Sequence, residues 1–182
     1  MNLPNLFLLA ALPVAALAAW TDWRTGHIPN WLTFGALGAA PIAHFAAALA
    51  TGHSDVALEE AGFSVLGALA CSVVPLLMYR AKGLFGGDLK LLVALGAICG
   101  PAMGIETQLF AFIVATTWAF GRLAYEGKLF KTLANTLSLV ANPLRKADKR
   151  RELTPEMMTE MRFGPALLGG LLLEIFSRLR GT

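Results

Sequence analysis

Six apolar runs constrain this chain more than any other feature: roughly Leu3–Trp20, Trp31–Ala50, Ala61–Tyr79, Leu89–Met103, Gln108–Tyr125 and Phe163–Phe176. A helix needs about 20 apolar residues to cross a bilayer, with a range of about 17–25. The fourth and sixth runs are short for that length and would have to tilt or thin the bilayer locally. Backbone polar groups inside a bilayer must be satisfied within a helix or a closed barrel. No run shows the alternation of a barrel strand, so helices are expected. Composition agrees: 56% of the 182 residues are hydrophobic and 15% charged, against roughly 25% charged in soluble domains. The expected fold is all-α, a polytopic membrane protein of about six transmembrane helices, with residues 1–182 forming a single membrane-embedded domain.

Lys and Arg in the connecting loops set the orientation. The first loop has Arg24, and the third has Arg80 and Lys82, with Lys90 just beyond. The fifth holds Lys128, Lys131, Arg145, Lys146, Lys149, Arg150, Arg151 and Arg162, whereas the second (51–60) and fourth (104–107) have none. Odd loops are therefore expected in the cytoplasm and the N-terminus outside. Arg178 and Arg180 then fall on the outer side, against the trend. Ala16–Leu17–Ala18 looks like a signal cleavage site, but the basic n-region is missing, so the first run is expected to stay as a span.

The net charge of +3 comes largely from the fifth loop. It is a topology signal rather than a mark of nucleic-acid binding, and the lipid bilayer is the partner it implies. Cys71 and Cys99 lie in apolar runs without CxxC spacing and are expected to be structural thiols. His27, His44 and His53 form no metal-ligand pattern, so neither a metal nor a cofactor is expected. A basic cytoplasmic segment spans about 126–162. Leu129, Leu133, Leu137 and Val140 stand at helical spacing in it, before the stop at Asn142–Pro143. They suit a helix on the membrane surface or a packed extension of the fifth span. Residues 145–160 mix charges of both signs, and Thr154–Pro155–Glu156 is expected to start a helix.

Against this apolar background two aspartates stand at the edges of runs: Asp22 in TDWRTGHIPN and Asp88 in GLFGGDLKLL. An ionised carboxylate at membrane depth costs about 2.5–3.5 kcal/mol even on the lenient insertion scale. Asp22 could pair with Arg24, or mark the interface between Trp20 and Trp23. Pro29 then turns the chain and Asn30 can cap the second helix. Asp88 could be an ordinary helix N-cap. Gly86 and Gly87 before it permit close backbone approach. Orientation puts both acids on the cytoplasmic face. Like charges at ~3 Å cannot both ionise, so such a pair shares one proton. The ionised member can take a proton from an attacking water while the protonated one hydrogen-bonds the peptide carbonyl. Either acid could hold either role, because a dyad titrates as a unit.

Asp22 followed by Ile28–Pro29–Asn30, and then GLFGGDLKLLVALGA, resembles the type IV prepilin peptidases, which are GxGD-type intramembrane aspartic proteases. The short form serving Flp/Tad pili (the TadV/CpaA type) looks most similar. A late Phe163–Gly164–Pro165 fits the same pattern. The resemblance implies catalysis by Asp22 and Asp88, with Gly86, Gly87, Lys90 and Pro165 supporting substrate or loop. Lys90 could equally snorkel to the interface, and Pro165–Ala166–Leu167 is similar to the PAL element of presenilin-like proteases or simply starts a helix. Phe85 stands where a strict GxGD has its first glycine. The cysteine-bearing N-terminal domain of bifunctional members is absent, which implies cleavage without N-methylation. The implied partner is a prepilin or pseudopilin with a basic leader and a hydrophobic helix, cut after a glycine at the cytoplasmic face of the bacterial inner membrane. Two other readings of the residues stay open: a transporter with Asp22 and Asp88 as ion sites, and a non-catalytic pilus-assembly subunit whose aspartates are caps. Glu174 is expected to snorkel or pair, and Glu106 to lie at the outer face.

Overall fold

The computed structural model describes residues 3–125, 127 and 162–180. These form five helices: α1 (Leu3–Thr25), α2 (Asn30–Ala50), α3 (Ala57–Arg80), α4 (Gly86–Tyr125) and α5 (Gly164–Arg180). Among the described residues there is no strand. Helices α1 to α4 are long and apolar enough to cross a membrane, and the protein is membrane-embedded. The expected amphipathic helix at Leu129–Val140, the start at Thr154–Pro155 and the rest of the basic segment lie outside the described residues. Contacts divide the chain into two units, residues 1–115 with 162–182, and 116–161. In the second, the helical end at 116–125 and Gly127 are described.

Four described helices are long and apolar enough to cross, so the expected count of about six spans is not confirmed. The fourth and fifth runs belong to one element, α4, broken at Gly100 (φ 79°, ψ 174°). That φ is open to glycine and strained for other residues. Pro101 follows, with no N–H to donate, as suits the first residue of a new helical segment. The chain doubles back there. A Cβ on Gly104 would lie 2.9 Å from the Gly96 Cα, whereas residues eight apart in a straight helix are about 12 Å apart. The break therefore falls at Gly100–Pro101 and not at 104–107, where the fourth loop was expected. Hydropathy does not register it, because apolar residues continue on both sides. Residues 86–99 reach roughly 21 Å, short of a hydrocarbon core of about 30 Å. Helix α5 has 17 residues and is short as well.

This first half of α4 is the centre of the bundle. Every residue from Ala94 to Gly100 is buried, as befits a helix apolar all round. Helix α3 packs on it through glycine: a Cβ on Gly67 would collide with the Gly96 carbonyl oxygen and the Gly100 backbone. The Cys71 Sγ sits in the crook, 2.7 Å from where Cβ atoms on Gly96 and Gly104 would be. Elsewhere α2 packs on α3, α1 on α5, and α1 more lightly on α2. Cys71 and Cys99 are buried free thiols.

A broken helix leaves its last carbonyls without intrahelical donors. Two side chains from neighbouring helices supply them. Ser64 Oγ donates to the Ala97 carbonyl at 2.7 Å, and His44 Nε2 donates to the Ile98 carbonyl at 3.0 Å. The His44 ring is held by stacking on Phe7 at 3.7 Å. Ser64→Ala is expected to cost about 1–3 kcal/mol, the penalty for a buried carbonyl left unpaired. Denaturation of the purified variant checks this, and an unchanged midpoint would show that the break needs no partner from α3.

Beyond the break, α5 is tied to α4 by a polar cluster. Thr107 Oγ1 donates to the Glu174 carboxylate, and Arg178 pairs with both Glu174 and Glu106. Glu174 is buried, so it is paired inside the bundle and does not snorkel. Glu106 lies within α4 rather than in a loop.

Candidate active site

Asp22 occupies the last turn of α1. The helix ends at Thr25, and Gly26 follows at φ 67°, its N–H donating to the Asp22 carbonyl at 2.9 Å. This is the left-handed glycine stop common at helix ends. It turns the chain toward Ile28, which is buried, and Pro29. Asp22 itself is only 6% exposed. Neither expected role, a solvent-facing interfacial charge or a partner of Arg24, describes it. The Arg24 guanidinium lies over the Trp20 ring at 4.5 Å, and the exposed Trp20 and Trp23 take the interfacial role alone. The Asp22 Oδ2 instead accepts the Gly164 backbone N–H at 2.8 Å.

Asp88 is 5% exposed and stands third in α4, so it is not the N-cap. That position falls to Phe85, whose carbonyl accepts the Leu89 N–H at 3.1 Å. The Asp88 carboxylate reaches back to the Phe85 backbone as an acceptor, the way an acid at the third helical position satisfies an orphan N–H. Phe85, in the place of the first motif glycine, turns its ring outward at 59% exposure. The local backbone there needs no glycine, because none of the positive φ angles falls on residue 85.

Gly87 brings the two motifs together. A Cβ on it would lie 3.4 Å from the Ile28 Cβ, so the start of α4 rests directly on the turn that follows Asp22. Gly86 faces the Tyr79 ring, 3.6 Å from where its Cβ would be. The two carboxylates are close enough for the charge of Asp22 to act on Asp88. Two buried acids in each other's field are equipped to hold one proton between them and to activate water.

The other expected site residues separate. Lys90 Nζ donates to the Asn30 Oδ1 at 2.9 Å and lies over the Phe34 ring at 5.0 Å, which ties α4 to α2. Asn30 therefore does not cap α2; Pro29 holds the cap position, without a side-chain bond. Lys90→Met is expected to leave turnover within about threefold, because an exposed polar tie contributes about 1 kcal/mol or less. A larger loss in a cleavage assay would mean the ammonium acts on the acids. Pro165 is half-buried in the first turn of α5. It adjoins Gly164, and so stands one residue from the contact with Asp22. Among the described residues no group of three or more His, Cys, Asp or Glu could hold a metal ion.

Gly164 was legible only as part of the Phe163–Gly164–Pro165 pattern; nothing in the sequence shows that its N–H meets Asp22. A sequence model of the type IV leader peptidase family matches residues 7–120, which include both aspartates. No curated protein and no solved structure matches the chain.

Proposed function

Because the chain belongs to the type IV leader peptidase family, we propose that it is an aspartic endopeptidase with Asp22 and Asp88 as its catalytic pair. The observation that carries this is that both carboxylates are buried, one from the end of α1 and one from the start of α4, where Gly87 rests on the Ile28 turn that follows Asp22. One ionised carboxylate takes a proton from water, whose oxygen bonds to the scissile carbonyl carbon. The protonated partner hydrogen-bonds the carbonyl oxygen and supports the tetrahedral intermediate. Collapse breaks the C–N bond, the proton passes to the leaving amine, and the pair returns to its single-proton state.

The substrate is a prepilin or pseudopilin of the Flp/Tad kind, with a basic leader and an apolar helix, cut after a glycine. The Lys and Arg pattern puts the N-terminus outside and the site at the cytoplasmic face of the inner membrane. The new N-terminus is left unmethylated, as the resemblance to the short form implies. The test is purified protein in lipid with a leader-bearing prepilin, read by mass spectrometry. The expected product ends in the leader glycine, and the mature chain lacks an added methyl. An uncut substrate, or cleavage elsewhere, would overturn the proposal.

A further inference from the structure

The geometry points to Gly164 as a positioning residue for Asp22, acting through both its backbone N–H and its missing side chain. This rests on the peptidase function proposed above. Gly164 lies outside residues 7–120, the stretch that the family model matches.

Helix α5 begins at Gly164, with Phe163 as its cap residue: the Leu167 N–H donates to the Phe163 carbonyl at 3.0 Å. Phenylalanine has no side-chain acceptor for the orphan N–H groups of the first turn. Pro165 has no N–H at all, so the Gly164 N–H is the first the helix offers. Asp22 Oδ2 takes it at 2.8 Å, in a buried setting. The carboxylate thus caps α5 from another helix, and one of its oxygens is held while the other is left for chemistry.

The missing side chain matters independently. A Cβ on residue 164 would lie 2.9 Å from both the Cβ and the Oδ2 of Asp22, and 3.1 Å from the Ala19 Cα. Ala19 and Asp22 are three apart on one face of α1 and form the notch that receives the glycine. The other end of the turn is seated too, with Phe163 buried and its ring 5.6 Å from that of Phe112. Residue 164 therefore cannot retreat from an added methyl without unseating Phe163, and the carboxylate must move instead.

The experiment compares full-length wild type and Gly164→Ala in lipid on a leader-bearing prepilin. A displaced catalytic group lowers turnover more than binding, so kcat is expected to fall about tenfold or more with KM within about twofold. Gly169→Ala is the control on the same helix. Its Cβ would meet the two methyls of Val114, at 3.3 and 3.9 Å, and both constants should hold within about twofold. If Gly164→Ala keeps wild-type kcat while Asp22→Asn is inactive, the positioning role fails and the peptidase function stands. If Asp22→Asn still cuts, Asp22 is not catalytic and the proposed aspartic pair itself fails. Should Gly164→Ala accumulate poorly, its loss of stability is measured again with Asp22→Gly, which removes both contacting atoms. The loss is expected to shrink; a loss of the same size would place the requirement at Ala19 and overturn the inference.

Discussion

Asp88→Asn is expected to abolish leader cleavage while the protein still folds and inserts. The amide has the size of the carboxyl group and keeps an oxygen that can accept from the Phe85 backbone, so the start of α4 retains its cap. What it loses is the ability to give up or share a proton. General acid–base steps contribute roughly 10²–10⁴-fold, and a dyad with one member removed has no second route. The same logic holds for Asp22→Asn, whose amide oxygen can still accept the Gly164 N–H. The two variants separate catalysis from capping. Where the aspartates only cap helices, both variants behave as the wild type does; where they catalyse, the wild type cuts and neither variant does, and cleavage at wild-type rates in both would require another acid. The assay is co-expression with a prepilin, read by the shift of the processed band, with membrane-fraction levels as the folding check.

Gly67→Ala is expected to have the largest effect on stability. The added methyl would fall onto backbone atoms of Gly96 and Gly100, and backbone at the centre of the bundle has little room to give. Overpacking of a tight core costs typically about 1–3 kcal/mol and sometimes more. Here the upper end applies, because the struck atoms belong to the break in α4 that Ser64 and His44 hold in place. Gly38→Ala makes the contrast. Nothing lies within 4 Å of a Cβ there, and alanine favours a helix over glycine by about 1 kcal/mol. It should match or exceed wild type. Unfolding in mixed detergent reads both. Equal stability of the two variants would mean that α3 can slide off α4.

Much of the fold is legible in the order of residues. Lengths of apolar run gave helices close to those observed: Trp31–Ala50 became Asn30–Ala50, and Ala61–Tyr79 became Ala57–Arg80. The ends shifted outward because a helix continues as long as backbone bonds form, beyond the last apolar residue. The break at Gly100 was misplaced because hydropathy is blind to φ. Gly-Pro inside an apolar run is a local signal of a stop, and it outweighed the polar residues that follow. Glu106 misled in the same way: charge suggested a loop, whereas pairing with Arg178 lets it sit within α4. Glu174, expected to snorkel or pair, is paired with Thr107 and Arg178.

The candidate site was half legible. Asp22 and Asp88 stand out because a carboxylate beside an apolar run is costly, and that cost is a property of the residue and its neighbours in sequence. Lys90 also stood out, yet its partner is Asn30, from a different helix. The sequence by itself determined the helical class, the membrane setting and the two acids, since each follows from hydropathy, charge and local motif. Only the tertiary structure decided that α4 doubles back at Gly100, that Gly87 rests on Ile28, and that the first N–H of α5 is aimed at Asp22. Those contacts join residues far apart in the chain. They depend on backbone angles and on the space left by missing side chains, neither of which a one-dimensional pattern contains.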